Sequence, residues 1–381
     1  MNAADRSGDV AAFASGKLTS VHDPAPTTDV IGHVDTLLEL AVARGASDIH
    51  LTPARDGVDV RLRIDGLLES PTTLPTELGR SAVTRLMVMA KLLTYRLDVP
   101  QEGRASIVIS GQSVELRISV IPTVHGLRCA VRLPALSGVP ETLDDLGLSP
   151  HTRRHLERFV ASDGGMLIVT GPAGSGKTTT VYALLRHFIA NRSELSVVSL
   201  EDPVEREVPG VAQVEVASFG ELTYERAIRS MLRQDPQVLA LGEVRDAATA
   251  ALAVQAALSG HRLICTMHAA SAGGAIARLI EMGIETYQIT SAVVAVLNQR
   301  LVRRKASDGQ RGRVPLSTWT TLDAALRRAI LDRADAQTLD SIALSAGVPT
   351  LASDAHRLID NGLTDAMEVG RVLGDDPNRK D

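Results

Sequence analysis

Residues 166–170 read MLIVT, residues 171–178 GPAGSGKT and residues 178–190 TTTVYALLRHFIA. The first run is short and apolar, as a strand covered on both faces requires, and the third carries a helix pattern. Between them, Gly171 to Thr178 match the P-loop pattern GxxxxGK[ST] in full. Glycines there let the backbone wrap closely, so that amide N–H groups point at phosphate oxygens, and the following helix adds its positive dipole end. Lys177 is placed to bridge β- and γ-phosphates and Thr178 to ligate Mg²⁺. The candidate nucleotide-binding set is Gly171, Pro172, Ala173, Gly174, Ser175, Gly176, Lys177, Thr178 and Thr179. Only five lysines (17, 91, 177, 305 and 380) occur among 40 basic residues, so a chance lysine here is a poor explanation.

Outward from this segment, Leu195–Leu200, Val238–Leu241 and Leu263–Met267 are further apolar runs, alternating with helix patterns. That alternation predicts an α/β core of mostly parallel strands with helices on both faces. The four runs end at Gly171, Glu201, Glu243 and His268, residues suited to a phosphate or a metal. Open α/β sheets bind ligands beyond the carboxyl ends of their strands, so the coincidence points to one site.

Hydrolysis needs a group that orients water and an environment for a metal. Glu243, in VLALGEVRD, is the candidate for aligning water, although Gly242 stands where an acidic strand end usually has an aspartate. The missing carboxylate is then expected from SLEDPVE, with Glu201 and Asp202 in the metal's hydration shell, while Glu205 and Glu207 read as surface charges. His268 is a candidate γ-phosphate sensor; a hydrogen-bonded structural histidine is the alternative. Cys265 reads as a small core residue, and His50, His125 and His261 have no ligand partners at metal spacing.

The preceding part is different in kind. Val58, Val60, Leu62 and Ile64 alternate with Asp59, Arg61, Arg63 and Asp65 as in a half-buried strand. Helices are expected from Asp35 to Gly45 and from Thr76 to about Leu93, and strands at Ala105–Ser110 and Ser113–Ile121. The chain thus divides into a disordered tail (1–30), a small α+β domain (31–134), a linker (135–142) and the α/β core (143–381), with helical spacing from about residue 314. Arg61, Arg63, Arg104, Arg117, Arg128 and Arg132 lie in or beside the strands of the first domain. Most such arginines are solvated, but many NTPases take an arginine from another domain or subunit.

Composition narrows the function. A net charge of −5 and 2% aromatic residues argue against nucleic acid as a partner. Two distant cysteines exclude a disulfide scaffold and a cysteine-based zinc site. No apolar stretch has membrane-spanning length and the N-terminus is unlike a signal peptide, so a cytoplasmic protein is expected.

GPAGSGKTTTVYALL, SLEDPVE, RSMLRQDPQVLALGEVRD and GHRLICTMHAASAGGAIARLIEMGIE resemble, in order and spacing, four signature regions of the secretion ATPases that drive type II secretion and type IV pilus assembly. Upstream, ASDIHLTP, VRLRIDG, PQEGR and VELRISVIPTVHGLRCAVRL resemble that family's second N-terminal domain. The resemblance implies a RecA-like P-loop NTPase core, ATP and Mg²⁺ as ligands, and catalytic roles for Lys177, Glu201, Glu243 and His268. Arg104 and Arg117 would reach ATP from the first domain. It also implies a homo-oligomeric ring, a hexamer, working at the cytoplasmic face of the inner membrane on a platform protein. Three departures stand out: no paired CxxC motifs follow QRLVR, so no zinc module is expected; little chain precedes the second-domain-like region; and Asp98 replaces a basic residue. A regulatory paralogue of low turnover and a retraction or conjugation motor are the alternatives.

Overall fold

The alternation along Val58–Ile64 does what its period demands: Val58, Val60, Leu62 and Ile64 are buried while Arg61 is exposed. A computed structural model describes residues 29–109, 111–134, 139–216, 222–305 and 312–374, and divides into two units, Met1–Val139 and Pro140–Asp381. The tail expected over residues 1–30 lies outside the described residues except for Asp29 and Val30, where a helix already begins. Most of the expected linker, residues 135–138, also lies outside them.

In the first unit, helix α1 (Val30–Ala43) is capped by the Asp29 carboxylate, which accepts the Gly32 N–H at 2.9 Å. Strands β1 (Ala46–Pro53), β2 (Val58–Ile64) and β3 (Leu67–Leu74) precede helix α2 (Thr76–Met89), and β4 (Gln101–Ile109), β5 (Gln112–Thr123) and β6 (Gly126–Arg132) follow it. They form one antiparallel sheet in the order β3-β2-β1-β6-β5-β4. Leu37, Leu38 and Ala41 of α1 and Ala82, Val83, Leu86 and Met87 of α2 share a core with Ile49, Leu51, Leu116, Ile118 and Val131 of the sheet. The opposite face carries the arginines.

The second unit is the expected α/β core. Its elements are α3 (Pro150–Ala161), β7 (Gly165–Thr170), α4 (Lys177–Asn191), β8 (Val197–Glu201), β9 (Ala212–Glu215), α5 (Tyr224–Met231), β10 (Val238–Leu241), α6 (Ala247–Leu258), β11 (Arg262–Met267), α7 (Ala272–Glu281) and α8 (Thr286–Ala292). Strands β12 (Val293–Arg303) and β13 (Arg313–Thr321) follow. The strand order is β13-β12-β7-β11-β10-β8-β9, parallel throughout except for the antiparallel β12–β13 pair. Met166 and Ile168 pack on the layer that includes α6 and α7, whereas Leu167 and Val169 pack on α3 and α4. Burial on both faces is why these strands read as continuous apolar runs.

Residues 313–321, where helical spacing was expected to begin, form an edge strand instead. The leucine–alanine pattern becomes a helix only at α9 (Ala324–Leu331), followed by α10 (Ala336–Ser345), α11 (Leu351–Asp360) and α12 (Ala366–Leu373). Pairing with β12 decides the matter: Trp319 and Leu316 are buried on opposite faces of β13, Trp319 against α3 and α4, Leu316 in a satellite cluster with Ala355, Leu358 and Val369.

Candidate functional site

At the end of β7 the chain turns through Gly171 (φ +152°), Gly174 (φ +72°) and Gly176 (φ +88°). A Cβ on Gly171 would lie 2.4 Å from the Gln299 carbonyl oxygen and 2.5 Å from Ser175 Oγ, so only glycine lets the loop pass β12. Pro172, Ala173 and Gly174 are exposed, and Thr178 and Thr179 are half-buried in the first turn of α4. No side chain caps that helix at Gly176, which leaves its N-terminal amides for another acceptor. Ser175 Oγ is buried without a hydrogen-bond partner. Lys177 Nζ folds back to donate to the carbonyls of Gly171 (2.8 Å) and Pro172 (3.0 Å). Burial lowers its pKa; the nearby Glu243 charge works against that shift and the Arg300 charge adds to it. An uncapped helix start, an orphaned buried hydroxyl and a desolvated ammonium fit a polyphosphate.

Glu201, the last residue of β8, is buried and hydrogen-bonded at both carboxylate oxygens, with acceptor capacity left on Oε2. It accepts from Tyr182 Oη, from Ser199 Oγ at 2.6 Å and from Gln213 Nε2 at 3.0 Å. The Tyr182 hydroxyl also accepts the Glu205 N–H at 3.1 Å. Burial and the neighbouring carboxylate raise the Tyr182 pKa, so its proton stays in place. Tyr182 therefore ties the P-loop helix to the acidic end of β8.

Gly242 explains the absent aspartate. A Cβ there would lie 3.1 Å from both the Leu200 carbonyl oxygen and Tyr224 Oη, whose hydroxyl donates to that same carbonyl at 3.2 Å. Tyr224 fills the space a longer side chain would need, and burial pushes its pKa up to about 12. Beyond it, Glu243 accepts from Arg245 Nε at 2.8 Å and stands 3.3 Å from His268 Nε2. Arg245 also reaches Asp202 at 3.7 Å. Thr266 Oγ1 donates to the Gly242 carbonyl at 2.5 Å, and Arg278 Nη1 to the His268 carbonyl at 3.2 Å, fixing both loops.

The strand order brings these groups together. Strands β7, β11, β10 and β8 are consecutive and parallel, so Lys177, His268, Glu243, Asp202 and Glu201 all lie at one edge. Among the described residues no three His, Cys, Asp or Glu side chains converge as a metal cage. Thr178, Glu201 and Asp202 are the oxygen donors at this edge that a Mg²⁺ ion accompanying the phosphates would use, with water completing its shell.

Arg104 and Arg117 lie in the first unit, opposite each other on β4 and β5. The row continues through Arg132 on β6 to Asp48 on β1 and Arg63 on β2. Asp48 meets Arg132 at 3.2 Å and Arg63 at 3.7 Å, and Arg104 meets Glu115 at 3.4 Å. Like charges directly opposite each other cost stability, so this row invites a functional explanation.

Sequence reasoning missed Tyr182, Ser199, Gln213, Arg245 and the Asn298–Arg300 segment. Tyr182 carried a signal as rare as that of Lys177, since the chain has four tyrosines, and Arg245 stood two residues from Glu243.

The family model for type II/IV secretion system proteins matches residues 23–371. The chain is 34% identical over 379 residues to the type II secretion system protein HxcR of Pseudomonas aeruginosa, covering 94% of this chain and 80% of that one. It is 35% identical over 392 residues to the type II secretion system ATPase E of Vibrio cholerae, covering 93% and 77% respectively. Among solved structures, the ATPase DotB of Legionella pneumophila matches with a TM-score of 0.71 at 21% identity, over 92% of this chain and 97% of that one. The pilus retraction motor PilT, solved with bound ADP, matches with a TM-score of 0.64 at 24% identity, over 88% and 96%. At those identities the structural likeness is one of fold. No helix among the described residues is long and apolar enough to cross a membrane.

Proposed function

This chain belongs to the type II/IV secretion system protein family, and we propose that within it the chain is an ATP-hydrolysing motor for type II secretion or type IV pilus assembly. The observation that carries this reading is the position of Glu243. It stands 3.3 Å from His268 and within the electrostatic reach of Lys177, at the edge where the P-loop opens.

Lys177 leaves its two loop carbonyls to grip the β- and γ-phosphates, and the backbone amides at 174–178 cradle them. Glu243 accepts a hydrogen bond from water and aligns it with the γ-phosphorus, while His268 registers the γ-phosphate. Mg²⁺, if bound, would be held by Thr178 directly and by Glu201 and Asp202 through water, and would supply charge neutralisation for the phosphates. Glu201 is pre-set for that task by Tyr182, Ser199 and Gln213. Arg104 and Arg117 serve the developing charge from the first unit, for which a bidentate guanidinium is suited. The working assembly is a homo-hexameric ring, peripheral to the inner membrane, passing domain movement to a platform protein that adds or extracts pilin-like subunits.

The test is Glu243→Gln, assayed beside the parent for ATP binding and for turnover as protein concentration is raised. The parent is expected to hydrolyse ATP with a cooperative rise, and the variant to bind ATP at near-parental affinity without turning it over. Unchanged turnover in the variant removes Glu243 from its role; a flat, negligible parental rate favours a regulatory paralogue.

A further inference from the structure

Strand β12 runs beside the P-loop strand with Leu297 opposite Val169 and Asn298 opposite Thr170. Continuing that register sets Gln299 beside Gly171 and Arg300 beside Pro172, beyond the end of β7 and level with the loop itself. The close approach of the Gln299 carbonyl to Gly171 agrees with this placement. Strand alternation sends Gln299 to the α4 face, where Nε2 donates to Thr180 Oγ1 at 3.0 Å. Asn298 and Arg300 go to the other face, where Asn298 Nδ2 donates to the Ala270 carbonyl at 2.8 Å.

The Arg300 guanidinium is aimed by three acceptors. Nη1 donates to Asn298 Oδ1 at 3.0 Å and to the Gln299 carbonyl at 2.9 Å, and Nη2 donates to the Ala270 carbonyl at 3.0 Å. It thus ties β12, at the level of the P-loop, to the loop that follows His268. All three acceptors are neutral. Burial lowers the Arg300 pKa, and the charge it adds to the field of Lys177 is of like sign. A guanidinium stays charged regardless, and a partly desolvated cation facing neutral oxygens beside a second cation is a costly arrangement until an anion arrives.

We propose that Arg300 is a phosphate-binding residue of this site, supplied by the same chain, which grips the terminal phosphate of the nucleotide and couples it to the His268–Ala270 loop. The inference rests on the nucleotide-binding reading above. Its surroundings favour the terminal phosphate: the strand register carries it level with the start of the P-loop, its partner Ala270 follows His268, and Lys177 feels its charge. A purely structural arginine would brace β12 against the loop and be indifferent to which nucleotide is bound.

That difference is the test. Full-length parent, Arg300→Gln and Arg300→Lys are titrated, with Mg²⁺ present, with ADP and with the non-hydrolysable ATP analogue AMP-PNP. Arg300→Gln is expected to weaken AMP-PNP binding about ten-fold, the loss of one charge-assisted hydrogen bond, and ADP binding by less than about three-fold. Arg300→Lys keeps the charge without the fork and is expected to recover part of the loss. Equal losses for both nucleotides, or none, overturn the proposal. If the glutamine variant does not fold, the lysine variant decides by the same comparison: a selective loss supports the proposal, and parental or uniformly altered binding refutes it. A parent that binds neither nucleotide would instead refute the motor reading.

Discussion

Tyr182→Phe removes a single oxygen, and its consequences follow from two hydrogen bonds. The hydroxyl donates to the Glu201 carboxylate and accepts the Glu205 N–H at 3.1 Å. The ring is 2% exposed and phenylalanine keeps it, so the change leaves no large cavity. A hydrogen bond to a charged group contributes about 1.5–3 kcal/mol and one to a backbone N–H about 0.5–1.5 kcal/mol, for a loss of roughly 2–4.5 kcal/mol. Glu201 retains Ser199 and Gln213, which favours the lower half of that range. In a unit the size of Pro140–Asp381, about 2–4 °C per kcal/mol converts this into a fall in Tm of roughly 4–12 °C by calorimetry. Ser199→Ala removes a second donor from the same carboxylate, so the double variant is expected to lose more than the two single losses combined, by at least ~0.5 kcal/mol. Turnover should also fall more than ATP affinity, because the acidic tip rather than the P-loop is disturbed. A Tm within about 1 °C of the parent's, or strict additivity with Ser199→Ala, would refute the reasoning.

Gly171→Ala places a methyl group 2.4 Å from the Gln299 carbonyl in a backbone region that favours glycine; nucleotide binding is expected to be lost with about 1–3 kcal/mol of stability, and normal binding would show that the loop tolerates a side chain. Glu368 provides a pH test. Burial alone would raise its pKa, but hydrogen bonds from Arg371 and from Arg303, at 2.6–3.0 Å, outweigh burial and hold it at about 2 rather than 4.5. A folded-state value below the unfolded one means this stabilisation is complete above pH 4.5 and is lost as pH falls toward 2. Glu368→Gln is therefore expected to have a lower Tm at pH 7 and a flatter decline through that window, with parallel declines counting against the ion-pair cluster.

Much of the second unit was legible because its strands carry their own signature. Val238–Leu241 coincides with β10, and the runs at 166–170 and 263–267 miss β7 and β11 by one residue at the start. The first unit was harder: β1, β3 and β6 are at least as long as β2 but lack its strict alternation of apolar and charged residues, and pairing with neighbours holds them in the sheet. Residues 313–321 were misread because the leucine- and alanine-rich segment that follows dominates the local composition, while β13 owes its conformation to nine consecutive pairings with β12.

The site divides along the same line. Glycine spacing, a rare lysine and apolar runs ending in acids are properties of a few adjacent residues, so the chain alone identifies a phosphate loop and nominates Glu201, Glu243 and His268. The company those residues keep is another matter. That Tyr182 holds Glu201, that Tyr224 occupies the space beside Gly242, and that Arg300 spans from Gln299 to Ala270 depend on β12 lying against β7 and on β10 lying between β8 and β11. Hydrogen bonds act over about 3 Å, whereas these partners stand up to 30 residues apart along the chain, so only the ordering of strands in the sheet brings them within reach.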